Sequence, residues 1–153
     1  MNVLELCQRR VVTVRPHEEL STAARMMRER NVGCLVVVEP GGALGGKRPI
    51  GMLTDREIVT HVVVENADPR ATRVEQVMTH HPATLASDSS IEAAQACMRS
   101  AGVRRVAIVD DRGRLVGILA LDDIFEYFGG RPQSPVTAIR RDLSSHAERD
   151  RAV

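Results

Sequence analysis

The residue types that could bind a metal or attack a substrate are sparse in this chain, and their spacing suits neither task. His80 and His81 are adjacent and His61 stands alone, whereas metal ligands on one helix face recur at three or four residues. The sequence has no Gly-x-Ser-x-Gly, no His-Glu-x-x-His and no glycine-rich loop ending in Gly-Lys-Ser or Gly-Lys-Thr. We therefore expect no metal, no prosthetic group and no catalytic activity.

One hydroxyl and carboxylate pair has a spacing with a defined meaning. Thr54 and Glu57 stand three residues apart, directly after an apolar run. This is the spacing of a capping box, in which two side chains close a helix N-terminus and contribute about 1 kcal/mol. The same two groups could instead bind a ligand, and the sequence leaves both interpretations open.

This pair lies in an internal repeat, and a duplicated unit of this size determines the architecture. The two copies match at an offset of 71 residues and, after a slip of five residues, at an offset of 66. The slip falls in the glycine-rich stretch 40–49, which is typical of a lengthened hairpin loop. The matched residues are Val3 with Val74, Thr13 with Thr84, Ala23 with Ala94, Met27 with Met98, Arg28 with Arg99, Val32 with Val103, Val38 with Val109, Gly51 with Gly117, Leu53 with Leu119 and Ile58 with Ile124.

Each copy predicts the element order β-α-β-β-α. Apolar residues on one face indicate the helices, and continuous branched runs indicate buried strands. In the second copy, Ser89 and Glu92 have capping-box spacing and predict where the first helix starts. The predicted elements are strand 11–14, helix 20–27, strands 35–38 and 50–53 and a helix from Arg56, then strand 83–85, helix 91–98, strands 106–109 and 115–119 and a helix from Asp122.

The duplicated segments Gly-Met-Leu-Thr-Asp-Arg-Glu-Ile (51–58) and Gly-Ile-Leu-Ala-Leu-Asp-Asp-Ile (117–124) carry the pattern G-h-h-[ST]-x-x-D, where h is apolar. This arrangement resembles the tandem CBS (cystathionine-β-synthase-type) domain pair, or Bateman module, over residues 3–128. Stretches 3–11 and 74–82 look like the segments that lead into each domain. The resemblance implies an α+β fold of two β-α-β-β-α units packed about a pseudo-twofold axis. We expect a first domain at 1–68, a second at 69–128 and a polar tail at 129–153, helical or disordered.

In the CBS family, two clefts between the domains take adenosine-containing ligands. The resemblance places Glu57 and Asp123 where a carboxylate accepts hydrogen bonds from both ribose hydroxyls. Thr54 takes the hydroxyl position, and adenine would lie against aliphatic side chains. The resemblance therefore implies AMP, ADP, ATP or a related adenosyl compound as the ligand, bound by Val12, Val14, Thr54, Arg56, Glu57, Thr84, Leu85, Arg104, Arg105 and Asp123.

The sequence departs from the family pattern in ways that predict two unequal clefts. Glu57 is one methylene longer than the usual aspartate, and Ala120 stands where a hydroxyl belongs, leaving Asp122 as the residue that could cap that helix. Arg104 and Arg105 occupy positions where family members often bind phosphate, although they could equally be solvated surface charges. The Glu57 site could use either arginine for phosphate, and we expect at least one working site.

Composition limits the partners. Lysine and arginine total 21 against 20 acids, so no global field draws the chain onto nucleic acid or anionic lipid. Cys7, Cys34 and Cys97 form no C-x-x-C pair, and no apolar run approaches the roughly 18 residues of a membrane helix, so we expect a cytoplasmic protein with no membrane partner. The family resemblance implies a homodimer that acts on an unknown effector protein.

Three functions remain in view. The leading one is a sensor module that binds an adenine nucleotide and changes the packing of its two halves. The chief alternative is a structural or protein-interaction module whose ligand sites have decayed, with Glu57 and Ala120 as the traces. Nucleic-acid binding is not expected, because the net charge is near zero and the three aromatic residues are confined to one short segment.

Overall fold

The computed structural model describes residues 2–129 and confirms the predicted α+β fold of two similar units. The tail from residue 130, which the sequence analysis predicted as helical or disordered, lies outside the described residues. The first copy contains helix α1 (Val3–Leu6), strand β1 (Thr13–Val14), helix α2 (Leu20–Arg30), strands β2 (Cys34–Pro40) and β3 (Lys47–Thr54) and helix α3 (Asp55–Val59), which continues into a π-helical turn (Thr60–Val64). The second copy contains a 3-10 turn (Val74–Gln76), strands β4 (Thr79–His80) and β5 (Thr84–Ala86), helix α4 (Ile91–Ala101), strands β6 (Arg105–Val109) and β7 (Leu115–Ala120) and helix α5 (Leu121–Gly129).

Each copy builds its sheet around one central strand. In the first sheet, β2 pairs in parallel with β1 and antiparallel with β3, and β4 extends the far edge. In the second sheet, β6 pairs in parallel with β5 and antiparallel with β7. The middle of each central strand is buried, which explains why β2 and β6 contain unbroken apolar runs in the sequence.

Helices α2 and α4 cover these sheets with matching apolar stripes. The buried positions are Leu20, Ala23 and Met27 in α2 and Ile91, Ala94 and Met98 in α4. The predicted capping box of Ser89 and Glu92 is wrong by one residue, because Ser90 is the N-cap and its Oγ accepts the Ala93 N–H at 3.2 Å. The backbone of Ser89 is held in the preceding turn, where its N–H donates to Ala86 and its carbonyl accepts from Val3.

The segment that leads into each copy packs on the other copy. We call residues 2–8 and 74–80 the lead-in segments. Val3 and Cys7 lie in the apolar core of the second copy, whereas Val74 and Met78 lie in the core of the first. The predicted division at residue 68 therefore separates the sequence copies but not the two cores, and the domain limits 1–68 and 69–128 stay a prediction.

Two glycines, Gly51 in β3 and Gly117 in β7, allow each lead-in segment to pass close to the sheet of the other copy. A Cβ on Gly117 would stand 2.5 Å from Cys7 Sγ, and a Cβ on Gly51 would stand 2.5 Å from Met78 Sδ and 3.0 Å from the Thr79 carbonyl oxygen. Any larger residue would push the segment away from the sheet. These matched glycines thus have a packing role in both copies.

Strands β2 and β3 extend further than predicted and shorten the glycine-rich loop to six residues (41–46), part of which forms a 3-10 turn (Gly42–Leu44). No helix within residues 2–129 combines the length and apolar character needed to cross a membrane.

Candidate functional site

Two clefts open where the two copies meet, at positions related by the internal repeat. The first, which we call the Glu57 cleft, encloses about 500 Å³, and the second, the Asp123 cleft, about 280 Å³. The Glu57 cleft is lined by Cys34, Met52, Thr54, Arg56, Glu57, Thr79, His81, Pro82, Ala83, Ala101, Gly102, Val103, Arg104 and Arg105. The Asp123 cleft is lined by Gln8, Arg10, Val11, Val12, Asn31, Val32, Gly33, Cys34, Arg105, Ile118, Ala120, Asp122 and Asp123.

In the first cleft, the Glu57 carboxylate is held from two sides. Its Oε2 accepts the Thr54 N–H at 2.6 Å, and the Glu57 N–H donates to Thr54 Oγ1 at 3.5 Å, so the capping-box interpretation is confirmed. Its Oε1 accepts the Thr79 hydroxyl at 2.8 Å, from the lead-in segment of the second copy. One carboxylate therefore closes a helix and also joins the two copies.

Asp123 repeats this arrangement without the hydroxyl. Its Oδ2 accepts the Ala120 N–H at 2.9 Å, and its Oδ1 accepts Gln8 Nε2 at 3.1 Å, from the lead-in segment of the first copy. Asp123, rather than the Asp122 considered in the sequence analysis, thus closes this helix end, because Asp122 turns to Arg104 instead.

The carboxylates of Glu57 and Asp123 keep free acceptor sites after they have capped their helices. Each carboxylate oxygen has two lone-pair sites, and in Glu57 and Asp123 each oxygen accepts one of the hydrogen bonds described above. Both residues are partly exposed on a cleft wall. Each side chain can therefore still accept hydrogen bonds from the hydroxyls of a bound ligand.

The basic residues are distributed unequally between the clefts. Three arginines, Arg56, Arg104 and Arg105, face one carboxylate in the Glu57 cleft. Two arginines, Arg10 and Arg105, face two carboxylates in the Asp123 cleft. Arg104 is exposed and pairs with Asp122 at 3.3 Å, which leaves its charge partly neutralised. The Glu57 cleft is therefore the more favourable environment for an anion.

Arg105 and Cys34 line both clefts, because they occupy matched positions at the beginning of β6 and β2. Arg105 stands opposite Ala120 and Cys34 stands opposite Thr54 in the strand registers. Burial raises the pKa of the Cys34 thiol to about 11, against a smaller lowering by the Arg105 guanidinium. The thiol is therefore uncharged near neutral pH.

Seven of the ten predicted ligand residues line a cleft, and three do not. Thr54, Arg56, Glu57 and Arg104 come together in the Glu57 cleft, Val12 and Asp123 lie in the other cleft, and Arg105 reaches both. Val14, Thr84 and Leu85 line neither of these two clefts, and their role in ligand binding stays a prediction.

The physical reason is the register of the parallel strands. Val14 pairs with Val37 and Thr84 pairs with Ala107. Val37 and Ala107 lie further along β2 and β6 than the first residues of these strands, which border the clefts. Val14 is buried in the first core, and Leu85 packs against the second. The cleft walls are formed earlier in the chain, by Val11 and Val12 in one cleft and Pro82 and Ala83 in the other.

Sequence reasoning missed the residues that hold the site carboxylates. Gln8 and Thr79 are matched by the repeat, each directly after the apolar part of a lead-in segment. Arg10 and His81 are matched in the same way and also line the clefts. The repeat offset was the available signal. Among residues 2–129, no group of three or more His, Cys, Asp or Glu side chains is arranged to hold a metal ion.

Comparison with known proteins identifies a family whose model matches most of this chain. A family model described as CBS domain matches residues 3–64 and 74–130. The uncharacterized protein MK0525 of Methanopyrus kandleri is 32% identical over 126 residues, which span 82% of this chain but only 62% of that protein. The CBS domain-containing protein YhcV of Bacillus subtilis is 37% identical over 114 residues, which span 74% of this chain and 76% of that protein.

A solved structure is similar over the whole pair of copies. It is the CBS domain pair of protein MJ0100 in complex with 5-methylthioadenosine and S-adenosyl-L-methionine, with a TM-score of 0.72 and 24% identity. The match covers 85% of this chain and 97% of that chain. At this identity, the likeness shows the fold.

Proposed function

Because the chain belongs to the CBS-domain family and carries two copies of the domain, we propose that it is a regulatory sensor that binds an adenine nucleotide in the Glu57 cleft. The observation that carries this proposal is the convergence of Glu57, Arg56, Arg104 and Arg105 on one cleft of about 500 Å³. That volume lies within the range of roughly 300–1,000 Å³ typical of small-molecule sites.

Each part of a nucleotide has a suitable partner there. The Glu57 carboxylate can accept hydrogen bonds from the ribose hydroxyls, and arginine presents a planar fork that matches a phosphate. The side chains of Met52, Pro82, Ala83 and Val103 provide apolar surface on which adenine can lie. The ligand class is supported by the complex of the MJ0100 domain pair with two adenosyl compounds.

The Asp123 cleft favours a different member of this ligand class. It is smaller, and its two arginines face two carboxylates. We therefore expect it to take an adenosyl compound with little or no phosphate, because extra negative charge would meet Asp122 as well as Asp123. The absence of a hydroxyl at Ala120 removes one further donor for phosphate.

Regulation would follow from the contacts that join the copies. Thr79 and Gln8 anchor the lead-in segments on Glu57 and Asp123, so a ligand bound at either carboxylate acts directly on the packing of one copy against the other. A ligand that binds one packing more tightly shifts the population towards it. We expect an effector protein to bind one packing in preference to the other, with no catalytic step in this chain.

We propose that the first partner of this chain is another molecule of the same protein, in a homodimer. Helix α3 and its π-helical turn expose Val59, Val63 and Val64, and the matched helix α5 exposes Phe125, Tyr127 and Phe128 by 47–60%. Exposed apolar surface of this kind marks interaction sites, and one self-complementary face suffices for a twofold dimer. Sedimentation should give about twice the 16.8 kDa chain mass, and Phe128→Glu should return it to the monomer value. A monomeric wild type would contradict this.

Thermal unfolding tests ligand binding. AMP, ADP, ATP, NAD and S-adenosylmethionine would each be added at about 1 mM, a concentration at which mass action raises the midpoint by several degrees for a ligand that binds well below it. We expect the largest shift for a phosphorylated nucleotide, and a much smaller one in Glu57→Ala. If no compound shifts the wild type, the proposed function is wrong.

The alternative function is an interaction module with empty clefts. One observation favours it: every oxygen of the two site carboxylates already accepts one hydrogen bond within the protein, so the carboxylates have a structural role without a ligand. Under this alternative, Glu57→Ala would lower the midpoint of the free protein, and no adenosyl compound would change either protein. The same unfolding experiment therefore separates the two functions.

A further inference from the structure

We propose that Arg105 is a single phosphate-binding cation shared by the two clefts, so that the clefts compete for phosphorylated ligands but not for adenosine. This inference rests on the proposed function and deepens it. It assigns the regulation between the two sites to one residue.

The position of Arg105 is the first step. It begins strand β6, and the repeat matches it to Cys34, which begins strand β2. Both residues border both clefts, so the two strand beginnings meet at the boundary between the clefts. A symmetric pair of copies would place two arginines here, whereas this chain places one arginine and one thiol.

The state of the Arg105 side chain is the second step. It is half-buried, and within residues 2–129 its guanidinium forms no hydrogen bond or ion pair. Its neighbour Arg104 is paired with Asp122. A partly desolvated arginine without a partner is suited to a charge-assisted hydrogen bond with an anion, and such bonds are about twice as strong as neutral ones.

Phosphorylated ligands in the two clefts compete because a single guanidinium, that of Arg105, serves both clefts. A phosphate in the Glu57 cleft that takes Arg105 leaves Arg10 as the arginine lining the Asp123 cleft, opposite Asp122 and Asp123. The second phosphate would also approach the first across a partly buried boundary, where salt screens charge less than in solution. Adenosine carries no phosphate, so it neither uses Arg105 nor meets this repulsion.

Calorimetric titration of the full chain with ATP, and separately with adenosine, tests the sharing. In the wild type, we expect one tight ATP site and a second that is weaker by at least about tenfold or not detected, since one charge-assisted contact of this kind changes affinity by about 10- to 100-fold. Arg105→Gln should weaken the tight site by about 10- to 100-fold and leave adenosine binding within about twofold. Arg112→Ala, which removes an exposed arginine from the β6–β7 turn, is the matched control and should change neither ligand.

Cys34→Arg restores the missing arginine and should bring the second ATP site to within about threefold of the first. Cys34→Ser controls for loss of the thiol, and unfolding midpoints without ligand identify any variant that fails to fold. If Cys34→Arg does not fold, the number of ATP molecules bound by the wild type and the ATP affinity of Arg105→Gln still test whether Arg105 is shared.

Two equal, independent ATP sites in the wild type, or unchanged ATP affinity in Arg105→Gln, would overturn the sharing while leaving the proposed function intact. Failure of both ATP and adenosine to bind the wild type at millimolar concentration would instead refute the proposed function itself.

Discussion

The two clefts of this chain share their construction and differ in their charge. In both, a carboxylate in the first turn of a helix accepts a backbone N–H from its own copy and a side-chain donor from the other copy. The Glu57 cleft adds Thr54 and three arginines, whereas the Asp123 cleft has Ala120 and balanced charges. Duplication has therefore kept the carboxylate and its two anchors, while the residues around them set what each cleft can bind.

Removing the carboxylates should give the largest effect. Glu57→Ala should weaken the binding of an adenosine ligand in its own cleft by about 10- to 100-fold, because each ribose hydroxyl loses a charged acceptor, and Asp123→Ala should do the same in the other cleft. Calorimetry with adenosine would measure both. Glu29→Ala, on the exposed face of α2, is the control. Equal losses at both clefts from one substitution would show that the clefts are not separate sites.

The crossing glycines should give the next largest effect, on stability. We expect Gly51→Ala and Gly117→Ala each to lower the free energy of unfolding by about 1–3 kcal/mol, as overpacking does. At Gly117 the new methyl group would meet the Cys7 side chain, and at Gly51 it would meet the Met78 thioether and the backbone carbonyl of Thr79.

Denaturant unfolding would measure these changes, with Cys7→Ala as the partner substitution. The double variant Cys7→Ala, Gly117→Ala should recover part of the loss, since a smaller residue 7 leaves room for the new methyl group. Strictly additive losses would contradict the crossing at this position.

The N-caps of helices α3 and α5 differ between the copies, with Thr54 in the first copy and Ala120 in the second, and each residue can be replaced by the other's type. Thr54→Ala should cost about 1 kcal/mol of unfolding free energy, and Ala120→Thr should gain a similar amount by supplying the missing N-cap hydroxyl to α5. Chemical unfolding of the two single variants and the double variant would test this. If Ala120→Thr destabilises the protein, the two helix ends are less alike than their hydrogen bonds indicate.

The sequence predicted the elements well and the contacts between copies poorly, for a physical reason. Apolar periodicity and the repeat are local signals, and they located both central strands and both long helices. The hydrogen bond from Gln8 to Asp123 joins residues 115 positions apart, and no local pattern encodes it. The family resemblance implied a ligand role for Val14, and its strand register places its side chain in the core of the first copy.

The Cys34 thiol, which lines both clefts, should react slowly with alkylating reagents. Its pKa of about 11 lies above the ordinary value of 9.0, so less thiolate is present at pH 8 and alkylation should be about a hundredfold slower than for a free thiol. The rate should rise about tenfold per pH unit until the pH reaches the pKa. Iodoacetamide labelling followed by peptide mass spectrometry would measure it, and ATP should slow it further by covering the cleft. Labelling as fast as free cysteine would contradict the burial.

The most direct test of the difference between the clefts is a crystal structure of the chain grown with ATP. We expect the ribose hydroxyls within hydrogen-bond distance of Glu57 and the phosphates at Arg105, in the larger cleft. ATP bound in the Asp123 cleft alone, or with its phosphates away from every arginine that lines the Glu57 cleft, would contradict the proposed nucleotide site.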